Sequence, residues 1–253
     1  MYRNHGALIP AMLVILQPDL GSGMVYVVIA FTLLFVAGTP WKHLGALIAL
    51  GLVSLTFVLV AAPAAGVHVL KPYQVQRLTA FLHPASSLKQ IKESEAKTGE
   101  PNPAYQLRES EIAIGSGGKT GRGENATQTR LNFVPEDHTD FVFAAVGEQY
   151  GFLGSALVLS LFGLLIWRAV RILLMAKDLF GSLVAAGVAA MLSFQVFVNV
   201  GMTIGIMPIT GVTLPLMSYG GSSVVTVLLA VGLLQSIYLR ARAAESLKGR
   251  VQR

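Results

Sequence analysis

From Leu179 to Leu239 the chain carries no Asp, Glu, Lys or Arg, and from Leu20 to Ala62 it carries only Lys42. Few folds tolerate charge-free stretches of that length. Apolar runs of roughly 18 residues or more are long enough to cross a bilayer core. In lipid, a crossing segment must satisfy its own backbone, which a helix does within itself. Only 13% of the residues are charged and the mean hydropathy is +0.62, whereas soluble domains average about 25% charged residues. The expected fold class is therefore all-α: a polytopic helical membrane protein.

Taken in order, residues 6–16 are apolar but too few to cross alone, and they read as the end of a span. Gln17-Pro18-Asp19-Leu20-Gly21 interrupts them; Pro18 cannot continue a helix, and Asp19 is suited to cap the next one. Complete spans are expected at about 22–38, 44–61, 141–167 and 182–202, with Trp41 and Lys42 as interface residues. A last span, about 216–239, runs out into a basic tail, 240–253. Ahead of that last span stand four complete transmembrane spans plus a partial N-terminal one, all within a single membrane domain covering 1–253. Residues 65–139 form one long polar loop with nine Lys or Arg against eight Asp or Glu. Residues 205–215 are uncharged and rich in Pro and Gly, as expected for irregular backbone buried among helices or lining a cavity.

The short basic loop at 168–178 and the tail, with five basic residues against one acid, belong on the cytoplasmic side by the positive-inside rule. The long loop then faces outward. The net charge of +6 does not indicate nucleic acid, because the basic residues sit between spans with no reading motif. Cysteine is absent, which excludes thiol chemistry and disulfides. The N-terminus has no small-residue cleavage site and is not read as a secretory signal.

One stretch carries most of the chemistry: residues 130–154, RLNFVPEDHTDFVFAAVGEQYGFLG. Its acidic cluster, Glu136, Asp137 and Asp140, sits at the mouth of a membrane helix, where acids are costly. Asp140 reads as a general base or metal-binding carboxylate whose pKa its acidic neighbours would raise, or as an acid serving the helix dipole. Glu148, two turns deeper, is either a functional intramembrane carboxylate or a hydrogen-bond partner for another helix. His138 could assist Asp140 or simply be solvated. Ala113–Thr120, AIGSGGKT, satisfies a relaxed phosphate-loop pattern without the strand and helix that pattern needs. Its glycines, with Lys119 and Arg122, could cradle a pyrophosphate or form a plain turn. Ser218-Tyr219-Gly220-Gly221 reads as a tight helix start, and the methionines between 202 and 217 as packing.

Together these segments resemble one family. Gln17-Pro18-Asp19-Leu20-Gly21, Ile112–Gly118, Pro135-Glu136 with His138-Thr139-Asp140-Phe141, Gly147-Glu148 with Gly151-Phe152, Asn199-Val200-Gly201, and Leu214-Pro215 with Ser218–Ser222 stand in the expected order. The chain resembles the SEDS family (shape, elongation, division and sporulation) of bacterial cell-wall polymerases. Residues 127–135 are more similar to its elongation (RodA) branch than to its division (FtsW) branch. The resemblance implies a peptidoglycan glycosyltransferase in the bacterial inner membrane that polymerises lipid II. It implies Asp140 as the essential extracytoplasmic aspartate and Asp19 as a second, structural or metal-related one. It further implies a divalent cation (Mg or Mn) and, as partners, a class B penicillin-binding transpeptidase and other elongation-complex membrane proteins. Lys119 and Arg122 are candidates for the pyrophosphate, and His138 and Glu148 for the substrate. Family members have about ten spans, so the chain is expected to be the C-terminal half of such a protein. Two alternatives remain: a transporter of lipid-linked precursor, which would be expected to show internal repeats, and an inactive scaffold.

Overall fold

The computed structural model describes residues 20–57, 60, 77, 103–126 and 139–251. Asp19, Glu136, Asp137, His138 and the branch-specific residues 127–135 lie outside the described residues. What is described is helical: α1 (Leu20–Val36), α2 (Trp41–Thr56), α3 (Pro103–Gly117), a 3-10 turn at Gly123–Asn125, α4 (Val142–Met175), α5 (Leu179–Thr203) and α6 (Gly221–Val251). Three helices are long and apolar enough to cross a membrane, Val142–Met175, Leu179–Thr203 and Gly221–Ala244, and two shorter apolar ones lie at Gly21–Val36 and Trp41–Ser54. The all-helical membrane fold is as expected. The segment following the four complete spans proves to be a full helix as well.

Several boundaries move for physical reasons. Trp41, Lys42 and His43 form the first turn of α2 behind Pro40 rather than a connecting turn, because proline ahead of a helix removes no needed donor. Residues 168–175, expected as a basic loop, continue α4; Arg is a good helix former, and Arg168 and Arg171 pack their guanidinium groups on aromatic rings. The last helix starts at Gly221, not Leu216, because Leu216 adopts φ 64°, outside helical geometry. It then continues through the basic tail as far as Val251.

Helices α4, α5 and α6 pack around a core of Ala169, Ile172, Ala185, Val188, Ala189, Leu192, Val227 and Leu234. In lipid, burial of apolar area contributes little to helix association, so close approach at small residues matters more. Ala169 and Ala185 are almost completely buried in this seam. α1 lies on the other side of α5, with Ile29 and Leu33 nearest to Gly187.

The long polar loop contains a helix, α3. Its buried residues, Pro103, Ala104, Leu107, Ser110, Ala113 and Gly117, recur at helical spacing. Most of them are small, so the stripe is inconspicuous by hydropathy yet suited to close packing. α3 lies against the first turns of α4, and Ser110 Oγ donates to the Thr203 carbonyl at the end of α5 across 2.8 Å.

α4 is interrupted at Gly151, whose φ of 63° and ψ of −158° are not helical. In an unbroken helix the Phe152 N–H would donate to the Glu148 carbonyl. Here it donates to the Gly118 carbonyl (2.9 Å), and the Leu153 N–H donates to the Lys119 carbonyl (3.1 Å). The displaced Glu148 carbonyl accepts from the Arg122 N–H at 2.9 Å. The turn after α3 thus replaces hydrogen bonds that the kink removes, leaving these backbone groups paired. Large exposed apolar side chains on α4 begin at Tyr150 and continue through Phe152, Leu153, Leu157, Leu161, Leu164, Trp167 and Val170 to Leu174. This is the lipid-facing stretch. Residues 142–149, mostly buried, belong to a protein-packed layer beyond it.

Candidate active site

The layer beyond the lipid-facing stretch brings together α3, the start of α4, the end of α5 and the connection 204–220. That connection is buried as expected of uncharged irregular backbone: Ile209, Thr210, Val212, Leu214 and Ser218 are each at most 5% exposed. The methionines near it pack, with Met202 buried and Met207 against Gly201.

Asp140 lies in the turn immediately before α4 and is half-buried. Its neighbour Phe141 is fixed in a small core with Leu107, Ala113, Ala144 and Ile209. Two side chains hold the backbone on its other side. Ser218 Oγ donates to the Thr139 carbonyl (2.6 Å) and accepts from the Leu214 N–H (2.8 Å). Asn199 Nδ2 donates to the Asp140 carbonyl (2.8 Å) and to the Val212 carbonyl (2.7 Å). Both contacts are to acceptors, which assigns the amide nitrogen to that side. Consecutive carbonyls, Thr139 and Asp140, are thereby gripped from different elements, and the direction in which the Asp140 side chain leaves the backbone is set.

The carboxylate has a cation close by. A Cβ placed on Gly211 would stand 3.2 Å from Arg77 Nη1 and 3.5 Å from Asp140 Oδ2. The guanidinium and the carboxylate therefore border the same small volume, which the absence of a side chain at Gly211 leaves open. Arg77 was not singled out in the sequence, because one arginine among nine basic loop residues carries no local signature. Asn199 and Ser218 stood inside family motifs, but nothing in their residue type says that they hold backbone carbonyls.

The remaining candidates are dispersed. Asp19 and His138 lie outside the described residues. Glu148 is 0% exposed in the seam where α3 and α4 approach most closely, so no open surface connects it to a ligand. Lys119 and Arg122 are exposed on the turn beside Gly151, about 16 Å along α4 from Asp140 at the helical rise. Two glycines of that turn have a packing reason. A Cβ on Gly117 would strike the Gly147 carbonyl, and one on Gly121 the Gln149 carbonyl. Two of its N–H groups are already used, Gly121 on the Gly117 carbonyl (2.8 Å) and Arg122 on that of Glu148. Arg122 Nε donates to the Ser116 carbonyl at 3.1 Å.

Among the described residues no three His, Cys, Asp or Glu side chains converge as a metal site. These residues alone do not compose a divalent-cation centre.

A family profile described as cell cycle protein, FtsW/RodA/SpoVE, matches residues 3–243. The chain belongs to this family. It is 39% identical over 234 residues to stage V sporulation protein E of Bacillus subtilis, covering 92% of this chain and 58% of that protein. It is 38% identical over 233 residues to the peptidoglycan glycosyltransferase MrdB of Escherichia coli K12, covering 90% and 57%. Among solved structures, a chain of a peptidoglycan synthase complex, described as coordinating polymerization and crosslinking, superposes with a TM-score of 0.64. That match has 35% identity and covers 88% of this chain and 56% of that one. The chain thus spans somewhat over half the length of the relatives it matches. Membership and the three long apolar helices make it a multi-pass membrane protein of the bacterial FtsW/RodA/SpoVE type.

Proposed function

We propose that this chain carries the catalytic half of a peptidoglycan glycosyltransferase that polymerises lipid II, with Asp140 as the general base. The supporting observation is the arrangement around that residue: a half-buried carboxylate on a backbone gripped at two consecutive carbonyls, with Arg77 beside it. Asp140 takes the proton from the acceptor sugar hydroxyl. The freed oxygen attacks the anomeric carbon of the donor, forming the new glycosidic bond, and the bond from that carbon to the lipid pyrophosphate breaks. The electron pair leaves with the pyrophosphate. A general base held at a fixed angle gains from having its orientation set before substrate arrives.

Lys119 and Arg122 are proposed to meet the pyrophosphate through their side chains, His138 to assist Asp140, and Asp19 to serve structure or metal binding. A divalent cation, magnesium or manganese, is proposed as counter-charge for the leaving group; chelation tests it. The elongation branch, a class B penicillin-binding transpeptidase as partner, and the outward placement of the Asp140 layer with a cytoplasmic tail belong to the same proposal. Supplying the purified chain with fluorescent lipid II, and comparing it with Asp140→Ala, tests the assignment. Loss of glycan strands in the variant supports it, and undiminished strands defeat it.

A further inference from the structure

α4 and α6 both start in the Asp140 layer and run to the opposite end of the bundle, where three arginines collect. The Arg168 and Arg242 guanidinium carbons lie 5.8 and 5.5 Å from the centroid of one ring, that of Tyr238. Arg171, three residues beyond Arg168, stacks 4.8 Å from the Trp167 ring. Tyr238 packs, partly buried, against the α4–α5–α6 core in which Ala169 and Leu234 are buried. Two cations from different helices therefore converge on one partly buried ring. Their ring contacts are given above, and among the described residues none of the three arginines has a carboxylate partner. Asp178, a described acid close in sequence, accepts from the Gly181 N–H at 2.7 Å as the cap of α5.

The depth of the cluster narrows what can neutralise it. Phe152 to Trp167 spans about 24 Å at the helical rise, and exposed apolar side chains continue past it to Val170 and Leu174, so the arginines fall near one edge of a hydrocarbon core of about 30 Å. Long arginine side chains near a helix end extend from there to the lipid headgroups. A guanidinium stacked on a ring keeps in-plane N–H donors that match phosphate oxygens. Basic clusters between helices at this depth suit anionic headgroups.

We propose that Arg168, Arg171 and Arg242, arranged around Tyr238 and Trp167, form a binding site for the phosphodiester headgroup of an anionic membrane phospholipid. The site is far from Asp140 and does not rest on the activity proposed above. Native mass spectrometry of the purified chain, with phosphatidylglycerol or phosphatidylcholine of matched acyl chains, tests it. The unaltered protein retains phosphatidylglycerol in preference and melts at a higher temperature with it, an effect that weakens with salt. R168Q/R242Q lowers phosphatidylglycerol occupancy by roughly thirtyfold, and each single glutamine variant by roughly fivefold, should the pair not fold. R168K/R242K, which keeps both charges but loses the planar stacked donors, falls between the unaltered protein and R168Q/R242Q. Equal retention of phosphatidylcholine, unchanged retention in the glutamine variants, or the same melting shift from inorganic phosphate would overturn the proposal.

Discussion

Asn199 Nδ2 donates to the Asp140 carbonyl across 2.8 Å, joining residues 59 apart in sequence. The same nitrogen holds Val212, so one amide ties α5, the buried connection and the turn before α4. Asn199→Ala would leave these carbonyls without that donor, at about 1–3 kcal/mol for each that stays buried and unpaired. We expect a lower melting temperature. We also expect kcat to fall roughly 10- to 100-fold, as for a misdirected catalytic group, with little change in KM. Steady-state polymerisation kinetics beside a thermal melt separate the two effects.

Gly211 offers a narrower test of the same place. Its φ is 78°, and an added Cβ would enter the volume bordered by Arg77 and Asp140. Gly211→Ala carries a backbone penalty of about 1 kcal/mol or more as well as the intrusion. Activity should fall further than the melting shift accounts for. Equal behaviour of Gly211→Ala and the unaltered chain in both assays would show that this volume is not used.

Two glycines of α3 should respond oppositely to alanine. At Gly117 a Cβ would strike the Gly147 carbonyl, whereas at Gly115 nothing lies within 4 Å. Gly115→Ala should stabilise by about 0.5–1 kcal/mol through helix propensity. Gly117→Ala should destabilise by about 1–3 kcal/mol through overpacking. Paired thermal melts read both signs directly.

Glu109, on α3 outside the membrane-spanning helices, has its pKa raised by partial burial, against which the Arg108 charge acts to lower it. Its folded form therefore binds the proton more tightly than its unfolded form. The associated stability is present below the unfolded value and is lost as pH rises through the folded one. Glu109→Gln removes that loss. The variant should melt above the unaltered chain at pH 7 and together with it at pH 4.

How much of this was legible in the sequence depends on what kind of residue carries the information. Charge segregation marked the long apolar helices, and the uncharged Pro- and Gly-rich run marked the buried connection. Asp140 stood out because an acid at the mouth of a membrane helix is costly. α3 was missed because its packed face is made of Ala, Ser and Gly, which leave almost no hydropathy signal. The kink at Gly151 was missed because it depends on hydrogen bonds from a turn about thirty residues upstream. The glycines of that turn looked like a phosphate cradle or a plain turn, and the sequence did not show that Gly117 and Gly121 sit close against the backbone of α4. Helix α4 continues through Arg168 and Arg171 because aromatic rings receive those cations, a compensation that local composition cannot show.

The central claim is that Asp140 removes the acceptor proton in glycan polymerisation, and Asp140→Asn tests it with the least change of shape. The unaltered chain and the variant, purified in parallel and matched in melting temperature, would be given fluorescent lipid II with magnesium, and the products resolved by length. Glycan strands from the unaltered chain and none from Asp140→Asn is the predicted result. Strands of equal yield from both, or none from the unaltered chain, would contradict it.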